Sequence, residues 1–361
     1  MTTDAVGGVW RYALELCAAL DAEVVLAVLG PAPDADQRAA AASVPGLRLV
    51  ETGLPLDWLS DGPGPVLAAG AAIARLAREV GADVVHLNSP ALAVADFGVP
   101  VVAVNHGCLG TWWDAAGKGA VDATLAWLPD LVGRGLRVAD RTVAPTRAYA
   151  EAVARRYALR VVPTAVHNGR TPIALPAALP ATLPAAAPCP GALTVGRLWD
   201  EVKGTATLDA AAARLDAPFV AVGATRAPHG ATAAPRHLQA TGPLPEAELA
   251  GLLARRPVFA SAARFEPFGL AVLEAAQAGC PLVLSDLSTF RELWDGAATF
   301  VAPGDAQGFA DAIAALLADP AYHTAQGEAA RRRAARYTPA AMAEQMAEIY
   351  RDALSRRTQA A

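Results

Sequence analysis

Cysteine is scarce, with Cys17, Cys108, Cys189 and Cys280 scattered through 361 residues. Neither the short paired spacings of a zinc site nor the density of a disulfide scaffold is present, so reduced, cytoplasmic thiols are expected. Long apolar runs are missing too. No uninterrupted stretch approaches the ~20 residues that a membrane-spanning helix requires. The opening Met1-Thr2-Thr3-Asp4 has neither the basic nor the apolar region of a signal peptide. An excess of positive charge is also lacking: the formal net charge is −5, which leaves nucleic-acid binding without its usual electrostatic footprint. One stretch departs from this balance. Arg134, Arg137, Arg141, Arg147, Arg155, Arg156 and Arg160 face only Asp140 and Glu151 as local counter-charges. A solvated helical surface is the expectation, with docking on an anionic membrane or acceptor as the alternative.

What is abundant is small and apolar. The chain is 54% hydrophobic, much of it alanine, which points to closely packed small-residue helices, and its length suggests two domains. Short β-rich runs alternate with alanine- and leucine-rich helical stretches, the pattern of parallel sheets covered by helices on both faces. Strands are expected at 23–28, 47–50, 83–87, 100–105, 141–144 and 161–166. The alternation restarts at 192–196, 218–223, 258–261, 281–285 and 299–301. Between the sets, Pro172, Pro176, Pro180, Pro184, Pro188 and Pro190 forbid a continuous helix. The expected organisation is an N-terminal Rossmann-like domain at 1–171, a Pro/Ala-rich linker at 172–190 and a C-terminal Rossmann-like domain at 191–338. A last helix at 339–357 would cross back to the first domain. Only Met1 to Asp4 precede the glycine turn Val6-Gly7-Gly8-Val9. Either the first strand is unusually short or the natural chain begins further upstream, the second being the preferred expectation.

The most informative run is Arg264-Phe265-Glu266-Pro267-Phe268-Gly269-Leu270, continued by Ala271-Val272-Leu273-Glu274 and stopped by Gly279-Cys280-Pro281. A carboxylate in a loop, Glu266, and another about two turns into the following helix, Glu274, can address different parts of one ligand. The N–H groups near Phe268, Gly269 and Leu270 would point at a phosphate, where the helix dipole also favours negative charge. Upstream, Gly196-Arg197-Leu198 and Lys203-Gly204 follow the first strand of the second domain, and Arg197 and Lys203 can clamp a diphosphate there. Gly7 and Gly8 let backbone approach a phosphate or sugar. His106 ends a strand and opens a glycine-containing loop reaching Trp112 and Trp113, which offer either packing or an apolar acceptor platform. His86 is read as structural, with Asn88 able to line a crevice. His167-Asn168-Gly169 reads as a turn in which Gly169 permits a positive backbone angle. Asp34-Ala35-Asp36 matches a metal-binding Asp-x-Asp only superficially and is read as a solvated turn.

The Glu266 to Pro281 run resembles the Glu-x(7)-Glu signature of the family 4 retaining glycosyltransferases of the GT-B fold, in which two Rossmann-like domains face across a cleft. The resemblance implies transfer of a sugar from a nucleoside-diphosphate sugar, with retention at the anomeric carbon. It assigns the donor sugar to Glu266, the ribose hydroxyls to Glu274, the diphosphate to Arg197 and Lys203, and charge near the reacting carbon to His106. Gly7 and Gly8 correspond to the donor-facing glycine loop. The first domain would take the acceptor, a small molecule, glycan or lipid-linked sugar, and the second the nucleotide sugar. No metal and no cofactor are expected, nor any nucleic-acid partner. The protein is expected in the cytoplasm, with peripheral contact at the inner membrane face left open. A nucleotide-sugar isomerase of the same fold, a phosphorylase and a catalytically silent sugar-nucleotide sensor are the competing readings.

Overall fold

The computed structural model describes residues 1–176, 191–228 and 230–360. The expected linker therefore lies largely outside the described residues, as do Cys189 and His229. Contacts along the chain divide it into two compact units, Met1–Arg170 with Tyr337–Ala361, and Thr171–Arg336.

The first unit holds two parallel sheets. One has the order β1 (Thr2–Asp4), β2 (Val24–Leu29) and β3 (Leu47–Leu54), and the other runs β4 (Val85–Leu87), β5 (Val101–Val104), β6 (Arg141–Ala144) and β7 (Thr164–Ala165). Near-continuous apolar runs such as Val101–Val104, buried throughout, suit strands covered on both faces. Asn88, just past β4, ties the two sheets: its backbone N–H donates to Thr2 Oγ1 at 3.0 Å and its Nδ2 to the Thr2 carbonyl at 2.8 Å. The strand expected at 161–166 shrinks to β7. Pro163 has no N–H to offer a ladder, and Val161 and Val162 before it are exposed.

The last helix, Pro339–Ala360, belongs to this first unit. Met342, Ala343, Met346 and Ala353 enter a core with Tyr12, Leu16, Val102, Val104, Val143 and Val166. Each fully buried side chain of this size contributes on the order of 1.5–3 kcal/mol of transfer free energy. Gly169 packs where the chain meets this helix. A Cβ there would stand 2.2 Å from the Thr338 carbonyl oxygen, and its φ is not positive, so close approach rather than a left-handed turn requires glycine. That corrects the reading of Gly169 from sequence.

The second unit is one six-stranded parallel sheet with the order β10 (Gln239–Gly242), β9 (Phe219–Val222), β8 (Ala192–Val195), β11 (Val258–Ser261), β12 (Leu282–Ser285) and β13 (Thr299–Val301). The chain builds outward from β8 to β10, then returns to β11 and builds the other way. The switch point therefore lies between β8 and β11, where the two following loops diverge and leave a crevice at the strands' carboxyl ends. Strand β10 went unread in the sequence. In the first unit, Trp10 is buried with Val28 and Ala41.

Candidate active site

In the second unit the two loops flanking the switch point carry the expected residues. After β8 the chain passes Gly196 and Arg197 into a single 3₁₀ turn, Glu201–Lys203. Asp200 organises this turn. Its carboxylate, almost fully buried, accepts from Val202 N–H at 3.4 Å and from the Arg197 guanidinium at 3.0 Å. Arg197 also lies over the Trp199 ring, 5.4 Å from its centroid, and stays half exposed. Thr205 Oγ1 donates to the Leu198 carbonyl at 2.7 Å and closes the loop on itself.

The loop after β11 is stitched to the first one: Arg264 N–H donates to the Val202 carbonyl at 2.7 Å. This brings Lys203 and Glu266 together, 63 residues apart in sequence, with Nζ 2.7 Å from Oε2 and each side chain about four-fifths buried. Thr289 Oγ1 donates to the Glu266 carbonyl at 2.7 Å and holds that backbone from the far side. An ammonium has three donors, so Lys203 can keep Glu266 and still offer N–H groups to an incoming anion.

Gly269, at φ +90°, turns the chain into the helix Leu270–Gln277 and presents no side-chain cap. The first-turn N–H groups of that helix are therefore not capped by their own N-cap residue. Phe268 is buried and can offer only its backbone to a ligand, and Leu270 is partly buried at the first helical position. Glu274 is 5% exposed and little more than one turn into the helix, not the two turns expected, because the helix begins four residues after Glu266.

In the first unit, Gly7 adopts an extended conformation before the helix Gly8–Ala19, and a Cβ on Gly7 would meet nothing within 4 Å. His106, just past β5, is half-buried, and its Nε2 lies 2.8 Å from Asn88 Oδ1. The Tyr12 ring stands edge-on to it, 4.3 Å between centroids. Burial pushes the imidazoles of both His106 and His86 down to about 3, so both are neutral near pH 7. Trp112 and Trp113 sit in the helix Leu109–Ala116 with centroids 6.1 Å apart. The Lys118 ammonium stands 5.0 and 5.6 Å from their ring centres.

Two sequence readings gain detail. Asp34 is the N-cap of the helix Ala35–Ala42, forming a capping box with Gln37, so the Asp34-Ala35-Asp36 run opens a helix rather than a turn. The arginine-rich stretch is largely engaged within its own unit. Arg137 donates to the Tyr157 carbonyl, and Arg141, Arg155 and Arg156 pair with Asp352, Glu151 and Asp114. Asp200 and Thr289 were missed as site residues. Asp200 is recognisable from the Arg-x-x-Asp spacing, whereas Thr289 reaches the site only through the fold.

Two successive units of parallel sheet, with polar groups gathered where strand order reverses, define the chain as a two-domain α/β protein of the GT-B class. The sequence profile described as Glycosyltransferase Family 4 matches residues 6–170, and that of Glycosyl transferases group 1 matches residues 189–319. The chain belongs to the family 4 glycosyltransferases. A glycogen synthase of Mycobacterium tuberculosis is 42% identical over 103 residues, 27% of this chain and 25% of that protein. A D-inositol 3-phosphate glycosyltransferase of Corynebacterium urealyticum is 34% identical over 111 residues, 30% of this chain and 26% of that protein. These alignments span about a quarter of the relatives' lengths. Among solved structures, the sucrose-phosphate synthase of Thermosynechococcus elongatus superposes with a TM-score of 0.77 at 20% identity, covering 98% of this chain and 96% of that one. The Anabaena protein HepE in complex with UDP-glucose gives 0.71 at 18% identity, covering 98% and 100%.

Proposed function

We propose that the chain is a retaining, metal-independent glycosyltransferase that moves a sugar from a nucleoside-diphosphate sugar to an acceptor hydroxyl. The observation that carries this reading is the Lys203–Glu266 pair at the switch point of the second unit, beside the helix start at Gly269. The UDP-glucose bound by the structurally similar HepE is consistent with such a donor.

In this reading the donor diphosphate accepts N–H bonds from Lys203, Arg197 and the backbone near Phe268, Gly269 and Leu270. Glu266 orients the sugar, and buried Glu274 holds the ribose hydroxyls. The bond from the anomeric carbon to the phosphate oxygen breaks, and negative charge builds on the departing diphosphate. Fixed cations and amide dipoles stabilise that charge without reorganising, the electrostatic contribution that matters most in a water-poor site. The acceptor oxygen bonds the same carbon from the same face, and its proton passes to the departing phosphate oxygen. Lys203 and Arg197 supply the charge neutralisation that a metal would otherwise give. Gly7, Gly8 and His106 of the first unit attend the sugar, and Trp112 and Trp113 the acceptor. The second unit is thus the donor domain and the first the acceptor domain. No helix among the described residues is long and apolar enough to cross a membrane. The protein is proposed to act in the cytoplasm, with peripheral contact at the inner membrane face where the acceptor is lipid-linked.

Incubation with a panel of uridine, guanosine and adenosine diphosphate sugars tests this. One base should raise the melting temperature, and its nucleoside diphosphate should be released in an acceptor-dependent manner as the sugar passes to the acceptor. Sugar conversion without acceptor would identify an isomerase instead, and thermal shift without turnover would identify a sensor.

A further inference from the structure

At the carboxyl ends of β4 and β5, His106 belongs to a polar cluster whose other members, His86, Asn88 and Tyr350, have no part in the proposed donor site. Asn88 Oδ1 is 2.9 Å from Nε2 of His86 and 2.8 Å from Nε2 of His106. His86 Nδ1 is in turn 2.6 Å from the hydroxyl of Tyr350, which the last helix supplies. The amide's orientation follows from its other end. Nδ2 lies 2.8 Å from the Thr2 carbonyl oxygen, a group that only accepts. Rotating the amide would set two oxygens against each other there. Oδ1 therefore faces the rings, and its two lone pairs each take one imidazole N–H. Both histidines must carry their proton on Nε2, and a neutral imidazole then has a bare Nδ1. His86 uses its own to accept from Tyr350. For His106, no hydrogen bond among the described residues engages Nδ1.

We infer that Asn88 is a positioning residue that holds His106 in the Nε2–H tautomer, so that Nδ1 accepts a hydrogen bond from a hydroxyl of the transferred sugar. His86, itself held by Tyr350, locks Asn88 from behind, and the Thr2 carbonyl holds the other end of the amide. This rests on the reading of His106 as a donor-sugar contact. It adds that the contact is an acceptor, and that its polarity is set by a chain of bonds ending in the last helix. Partners of this kind, one bond removed from the group that meets the ligand, fix ring tautomers at metal-bound histidines, where their loss costs about 10–100-fold.

The test is nitrogen-15 NMR on the full chain with labelled histidine, the His106 signals being assigned by their loss in His106→Gln. In the ligand-free wild type near neutral pH, Nε2 should be protonated and Nδ1 bare. In Asn88→Ala the two nitrogens should move toward the averaged pattern of exchanging tautomers, and kcat with the donor should fall about tenfold or more. Asn88→Ala should keep the far-UV circular dichroism of the wild type, which separates tautomer control from general loss of structure. A proton on Nδ1 in the wild type, or an unchanged pattern in Asn88→Ala, overturns the inference; the wild-type result stands even if the alanine variant fails to fold. Adding a sugar nucleotide that is turned over should shift the Nδ1 resonance, and the nucleoside diphosphate alone should not. Turnover without that shift also overturns it. If no sugar nucleotide is turned over, the proposed function falls, while the tautomer measurement still decides the role of Asn88.

Discussion

Lys203 and Glu266 form an ion pair with most of each side chain withdrawn from water, on two loops that follow neighbouring strands and are joined by the Arg264–Val202 hydrogen bond. Such a pair contributes little net stability, because desolvation offsets much of the Coulomb attraction, and about 1 kcal/mol is a reasonable scale. Its value is geometric. An ammonium held in place before the diphosphate arrives needs no further ordering when charge builds on the leaving group. Lys203→Ala should therefore lower kcat by about 10²–10³-fold. Because it leaves the largely buried Glu266 carboxylate unpaired, it should also lower the melting temperature, by the equivalent of up to about 3–5 kcal/mol. Steady-state kinetics with the cognate donor, alongside a thermal melt, reads both quantities. Wild-type turnover in this variant would remove Lys203 from the chemistry, and collapse of the fold would make its role structural.

At the level of elements, the loop after β8 depends on one backbone position. Gly204 ends the 3₁₀ turn at φ +73°, and a Cβ there would stand 2.1 Å from the Ala262 carbonyl oxygen. Backbone cannot yield as a flexible side chain would. Gly204→Ala combines a left-handed conformation with a collision against the loop after β11, and should cost about 1–3 kcal/mol. Because the same movement separates Lys203 from Glu266, activity should fall by more than the stability loss explains. Urea unfolding and donor turnover on the same preparation would show this, and a variant that keeps both stability and turnover would contradict it.

The contrast between what could and could not be read in the sequence also lies at this scale. Val101–Val104, Val258–Ser261 and Leu282–Ser285 announce buried strands by composition, and the glycine-to-glutamate run announces its helix. By contrast, Gln239–Gly242 is an edge strand with three of its four residues exposed, so it carries no apolar signal. The asparagine between two histidines was equally hidden. Residues 86, 88, 106 and 350 meet only after parallel strands align and a helix returns from the end of the chain, and no local spacing encodes that.

That returning helix decides how the first unit is closed. The second unit is one continuous segment, whereas the first is closed only when Pro339–Ala360 lies against the helix Gly8–Ala19 and strand β5. Met346 is fully buried in the core so formed, among Tyr12, Leu16, Val102 and Val104. Truncating it removes a long flexible side chain and leaves a cavity, so Met346→Ala should destabilise the first unit by about 2–5 kcal/mol. The same helix carries Tyr350 to His86, and loosening it should relax the hold on Asn88 and His106 without touching any donor residue of the second unit. Hydrogen exchange by mass spectrometry should then show β4, β5 and the helix Gly8–Ala19 losing protection, while β8, β11 and β12 keep theirs. Because each unit buries a core of its own residues, uniform loss across all of these strands would mean that the chain unfolds as one cooperative body and that the last helix has no special hold on the first unit.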